Sequence, residues 1–191
     1  MFSFIAPLFL SMIVSQAASA QHDSSRRFAG PEQHGAAPPS PSGHSRYDGL
    51  EKRLIKALSD QQIDDIKSGR GMSLALPAEL NGYPGPAHVL ELSEQLGLSA
   101  GQKLRVTELH KSMQAEAVQI GARLIEQEIA LDHLFAHNTA STEAVRDTTA
   151  AISITQGRLR NAHLKYHLAM AEVLRPEQRD TYAMLRGYKP K

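Results

Sequence analysis

The chain has no cysteine among its 191 residues, which removes disulfide staples, thiolate metal ligands and a lipid-anchor site together. Any metal ion would be held by His, Met and carboxylates. A charge of one sign is missing too: 21 Lys and Arg stand against 20 Asp and Glu, a formal net charge of +1. With no dense basic stripe and no interleaved aromatics, nucleic acid is not an expected partner. No Gly-rich phosphate loop occurs, nothing reads as a strand, and no Ser and His are spaced as nucleophile and base. Paired carboxylates such as Asp64 and Asp65 lie on solvent-like faces. An enzyme is the least supported class, and no organic cofactor is implied.

Long apolar runs are scarce. Phe4 to Val14 is shorter than the roughly 20 residues of a membrane-spanning helix but has the size of a signal-peptide core, and Ala18-Ser19-Ala20 offers a small-x-small cleavage site before Gln21. Residues 1–20 read as a signal peptide, with an uncleaved N-terminal anchor as the alternative because no Lys or Arg precedes the run. Residues 21–45 are Ser, Pro, Gly, His and Ala with almost no large apolar side chain, a composition that cannot offset the entropy of ordering. They read as a flexible tether, and its His22, His34 and His44 as solvated. Residues 46–191 are enough for one all-helical domain.

What is present is helical periodicity. Tyr47 to Lys67 carries Leu50, Leu54, Ala57, Leu58, Ile63 and Ile66 at helical spacing and predicts two short helices meeting at Leu58-Ser59, stopped by Gly69-Arg70-Gly71. Met72 to Ala87 reads as an apolar loop in which Leu74, Leu76, Leu80 and Tyr83 cover the end of a helical core, or form a lid over a pocket. His88 to Leu96 predicts a short helix. Ser99 opens a helix of about 38 residues on the 3.6-residue repeat, with Val106, Leu109, Met113, Ala117, Ile120, Leu124, Leu131 and Phe135 in its stripe. Asn138-Thr139-Ala140-Ser141 breaks it. Thr142 starts the return helix to Val173, whose stripe is Val145, Ile152, Leu159, Tyr166, Met170 and Leu174. Pro176 can then occupy the first turn of a last helix, where its missing N–H costs nothing. The fold class is all-α, built on a long antiparallel helical hairpin with flanking short helices.

His163 and His167 fall inside the return stripe, where a plain core would put Leu. With Met170 they follow i, i+4, i+7 and share one helix face. A hairpin turn near 139 to 140 makes the numbers of facing residues sum to roughly 279, which sets His110 opposite His167 and Met170. Four donors from two helices thus point to a metal site made of His110, His163, His167 and Met170, with His88 a further candidate. Imidazole and thioether suit Zn, Ni, Co or Cu rather than Mg or Ca. The plain alternative is packing, with both imidazoles bonded to backbone or to Glu108 and Glu172. His133 and His137 lie off the stripe and read as solvated.

Three segments share one shape: Leu58-Ser59-Asp60-Gln61-Gln62, Leu98-Ser99-Ala100-Gly101-Gln102 and Leu174-Arg175-Pro176-Glu177-Gln178. They resemble the LTxxQ motifs of the Spy/CpxP family of small periplasmic proteins, as does the order of signal peptide, polar tail, short helices, long hairpin and terminal helix over about 50 to 188. The family includes ATP-independent chaperones, stress-pathway repressors and a CnrX-like heavy-metal sensing and resistance branch. The resemblance implies a periplasmic address, a homodimer of interlocked hairpins and no enzymatic activity. It implies either a transition-metal protein or a chaperone and stress-signalling adaptor, whose partners would be unfolded client proteins or a membrane sensor or anti-sigma factor. A chaperone would use apolar patches ringed by Lys103, Arg105, Arg123, Arg158 and Lys165. By position, His110 falls where the metal-sensing branch has a ligating carboxylate, and Met170 where it has a ligating Met. The chain departs elsewhere: Tyr166 stands where the branch has a helical His, leaving His167 one residue out of register, and an HxxxH before the long helix is reduced to His88.

Overall fold

The computed structural model describes residues 47–189; the expected signal peptide and tether lie outside them. The regular elements among the described residues are all helical, with no strand among them. A single 3-10 turn, Leu50–Lys52, comes first, then α1 (Asp60–Lys67), α2 (Leu76–Glu79), α3 (Pro86–Glu91), α4 (Ala100–Ala136), α5 (Thr142–Val173) and α6 (Pro176–Leu185).

Local chemistry sets the helix ends. Ser59 and Ser99 each open a helix with a reciprocal capping box, the serine oxygen accepting from the N–H of Gln62 or Gln102 and the glutamine oxygen accepting from the serine N–H. Ser141 caps α5 by accepting from the Ala144 N–H at 3.1 Å. Asn138, at φ 56°, supplies the left-handed residue that ends α4 and lets the chain reverse.

α4 and α5 pack along each other as the antiparallel hairpin, α1 and α3 lie against α4, and α2 and α3 touch α5. The seam is not continuously apolar. One cluster joins Val89, Leu96, Leu98, Val106, Leu109, Met170, Leu174 and Tyr182, and a second joins Ile66, Ala117, Leu124, Ile152 and Leu159. Each fully buried aliphatic side chain contributes about 1.5–3 kcal/mol, so these two knots hold the hairpin. Between them along the chain lie Met113 on α4 and His163 and His167 on α5, which line a cavity instead.

Several expectations change. Before Ser59 there is one 3-10 turn rather than a helix: Arg53 is extended, so Ile55 points inward at 0% exposure while Leu54 is 70% exposed. The apolar segment holds the four-residue α2, and α3 starts at Pro86 in its first turn, before His88. Leu76, Leu80 and Tyr83 remain 47%, 53% and 39% exposed while Ala75 and Glu79 turn in, because one helical turn offers only one side to the core. Phe135 is exposed, since it lies beyond Glu128 and Ile152, the last buried residues toward the hairpin tip.

Candidate functional site

Imidazoles in a hydrophobic seam must find partners or lose their charge. His163 is 2% exposed, and its Nε2 is buried with no hydrogen-bond partner. Burial foremost, and His167 one helical turn away second, hold its pKa below the ordinary imidazole range. His167, 7% exposed, is held differently: its Nδ1 lies 2.7 Å from the carbonyl oxygen of Tyr83. That oxygen only accepts, so the neutral ring carries its hydrogen on Nδ1 and its lone pair on Nε2.

Both rings border a cavity of about 340 Å³. Its wall also includes His88 from α3, Glu79 from α2, Met113 from α4, and Arg186 and Tyr188 from the C-terminal end. Two glycines set its shape. A methyl on Gly85 would stand 3.0 Å from Cε1 and 3.1 Å from Nε2 of His167, and one on Gly71 would stand 3.8 Å from Nδ1 of His163. Glycine at 85 therefore keeps the Nε2 edge of His167 clear. Met72 and Ser73, also in the wall, hold left-handed backbones at φ 42° and 62°; conformations this sparsely populated cost about 1–3 kcal/mol each and cluster at ligand sites.

Glu79 is the polar centre beside the rings. At 5% exposure a carboxylate needs compensation, and it accepts from the Gly85 N–H at 3.0 Å, the Tyr188 hydroxyl at 3.2 Å and the Tyr182 hydroxyl. His88 Nδ1 lies 3.3 Å from its Oε1 and His167 Nδ1 3.7 Å from its Oε2. Burial, and then the bond to Glu79, push the Tyr182 hydroxyl pKa well upward, so it remains a donor.

Of the residues expected to form a site, the structure brings His163, His167 and His88 to one cavity. His110 is half-buried on α4 and is not in its wall. Met170, 0% exposed, packs in the first apolar cluster among Val89, Leu109 and Tyr182. Neither Glu108 nor Glu172 bonds the imidazoles; Glu79 and the Tyr83 carbonyl take that place. As the side chains stand, no three of the His, Asp and Glu donors among the described residues come close enough to hold a metal ion together. Glu79, Tyr182 and Tyr188 are the members that sequence reasoning missed. The one signal for Glu79 is a lone acid in the otherwise apolar Met72 to Leu80 run; the tyrosines carry none, because their partner is about a hundred residues away. His133 and His137 are exposed near the hairpin tip, their rings edge to face at 5.3 Å.

Compared with known proteins, the chain matches no family model, no curated protein and no solved structure.

Proposed function

We propose that this chain is a periplasmic, homodimeric, Spy/CpxP-like accessory protein of heavy-metal resistance or envelope stress, which captures a transition metal ion (Zn, Ni, Co or Cu) at the cavity that interrupts its hairpin seam. The observation that carries the reading is the buried, unpartnered Nε2 of His163 in a cavity shared with His167 and His88. An unsatisfied buried polar group costs about 1–3 kcal/mol, which a leucine at 163 would avoid; a ligand that uses the lone pair supplies a reason for the imidazole. The family, the address and the dimer rest on the three LTxxQ-like segments and the N-terminal apolar run.

In chemistry the residues fit such an ion: neutral imidazoles are ligands for late transition metals, and His163 is kept neutral by burial. His163, His167 and His88 would hold the metal. The donors do not converge as they stand, so capture requires α2 and α3, which carry Glu79 and His88 as a bonded pair, to close toward α5. Because α3 and α5 present these rings together only in the folded chain, binding would also stabilise the fold.

The test is calorimetric titration of the metal-stripped protein with zinc, nickel, cobalt and copper, repeated on the His163→Ala, His167→Ala variant. A submicromolar constant that the variant loses supports the reading. No heat, or heat the substitutions leave unchanged, returns both histidines to packing.

One feature favours a second reading, an ATP-independent chaperone or signalling adaptor. Leu76, Leu80 and Tyr83 expose apolar surface within a single segment, suited to unfolded clients or to a membrane sensor or anti-sigma partner. Suppression of aggregation of a denatured test protein that persists in chelator would favour it. Of the cations expected to ring such patches, Lys103, Arg105 and Lys165 are already paired with Glu94, Glu108 and Glu116.

A further inference from the structure

We propose that Glu79 is the positioning residue of this site: its carboxylate fixes the ring orientation and tautomer of His88, and with the Tyr83 carbonyl those of His167, so that both present an unprotonated Nε2 for coordination. The inference rests on the metal-binding reading above.

Two kinds of group surround the Glu79 carboxylate. The Gly85 N–H and the hydroxyls of Tyr182 and Tyr188 tie α2 to the α3 entry and to the C-terminal end, which any buried structural acid would do. The imidazoles are different. Both face it with Nδ1, His88 at 3.3 Å from Oε1 and His167 at 3.7 Å from Oε2, and both line the cavity. A ring that gives its Nδ1 hydrogen to an oxygen keeps its lone pair on Nε2, and such outer partners orient metal-binding histidines and raise their basicity. His167 makes its short bond to the Tyr83 carbonyl at 2.7 Å, with Glu79 behind the same nitrogen. Gly85 serves both ends, donating its N–H to Glu79 Oε2 and leaving room beside His167 Nε2, where a methyl would stand at 3.1 Å. One carboxylate on a one-turn helix thus bonds the His88 ring directly and stands behind the His167 nitrogen that the Tyr83 carbonyl holds.

The experiment uses the full chain, stripped of metal, with cobalt(II) as the probe, reading both affinity and the visible absorption of the bound ion. Glu79→Gln should weaken binding by about 10- to 100-fold and change the cobalt spectrum, because the rings are no longer held in one orientation. Gln178→Ala, which removes bonds to the Leu96 carbonyl and to Gln102 away from the cavity wall, should lower thermal stability and leave the spectrum as in the parent. If Glu79→Gln binds cobalt with unchanged affinity and spectrum while His163→Ala, His167→Ala abolishes binding, the positioning role is overturned and the metal reading stands. If the histidine substitutions also change nothing, the metal reading itself fails. Should Glu79→Gln not fold, nitrogen-15 NMR of the histidine rings in the parent protein, above the pH of their titration, decides the matter: the role requires His88 and His167 both to carry hydrogen on Nδ1, and an Nε2–H tautomer in either overturns it.

Discussion

Gln102 and Gln178 stand 76 positions apart and bond to each other through their side-chain amides, Gln102 Nε2 donating to Gln178 Oε1 at 2.8 Å. Each also works on its own helix start, accepting from the Ser99 N–H at 3.1 Å or the Arg175 N–H at 3.0 Å. Each then reaches a distant carbonyl, Gln102 that of Val173 at 2.9 Å and Gln178 that of Leu96 at 3.1 Å. Two of the three repeated segments thus lock the starts of α4 and α6 together, whereas Gln62 in the third serves only Ser59.

Gln178→Ala, which strands the buried Leu96 carbonyl and removes the bond to the partly buried Arg175 N–H, is expected to cost about 2 kcal/mol or more. Gln62→Ala, at an exposed site, should cost about 0.5–1.5 kcal/mol. Urea unfolding of the two variants checks the order; equal losses would show that the interlock adds nothing to local capping.

At Gly121 a methyl would stand 2.6 Å from Ile66 Cγ2 and 2.9 Å from the Ile66 carbonyl oxygen. The backbones of α1 and α4 meet there. Gly121→Ala should push them apart at about 1–3 kcal/mol. Gly157, on α5, has nothing within 4 Å of such a methyl, so Gly157→Ala should stabilise by about 0.5–1 kcal/mol through helix propensity alone. Thermal unfolding of both variants gives the comparison, and two shifts of one sign would contradict this packing.

Burial raises the pKa of Glu128 above the ordinary carboxylate value of 4.5. The unfolded chain then gives up this proton more readily than the folded one, so the group favours folding in acid and opposes it as pH rises through the folded value. Glu128→Gln should melt higher than the parent near pH 7, with the difference vanishing as pH falls toward 4.5. A variant that melts lower at pH 7 would mean that the charged carboxylate is favoured where it lies.

Met170 and His110 lie outside the cavity wall. Met170→Leu, a volume-conserving change in an apolar cluster, should cost under about 1.5 kcal/mol and leave metal affinity unchanged, as should His110→Ala. Gly85→Ala should lower the affinity by crowding His167 Nε2. Titration with zinc checks all three, and loss of binding in either of the first two would restore them as ligands.

The sequence by itself determined the all-helical class, the bounds of α4 and α5, the caps at Ser59 and Ser99, the break at Asn138 and the start of α6 at Pro176. These follow from 3.6-residue periodicity and capping chemistry, which act over a few residues and are written in adjacent letters. It also placed His163 and His167 inside the seam. Only the tertiary structure decided which donors share a space. His110 and Met170 look right by register, but what meets His167 is the Tyr83 carbonyl and the Glu79 carboxylate of α2, with His88 of α3 in the same cavity wall and Glu79 held by tyrosines on and after α6. Which short segment folds over a long hairpin, and at what height, depends on packing volume and on where a buried carboxylate finds its donors. Those terms join residues about a hundred positions apart and leave no period in the chain.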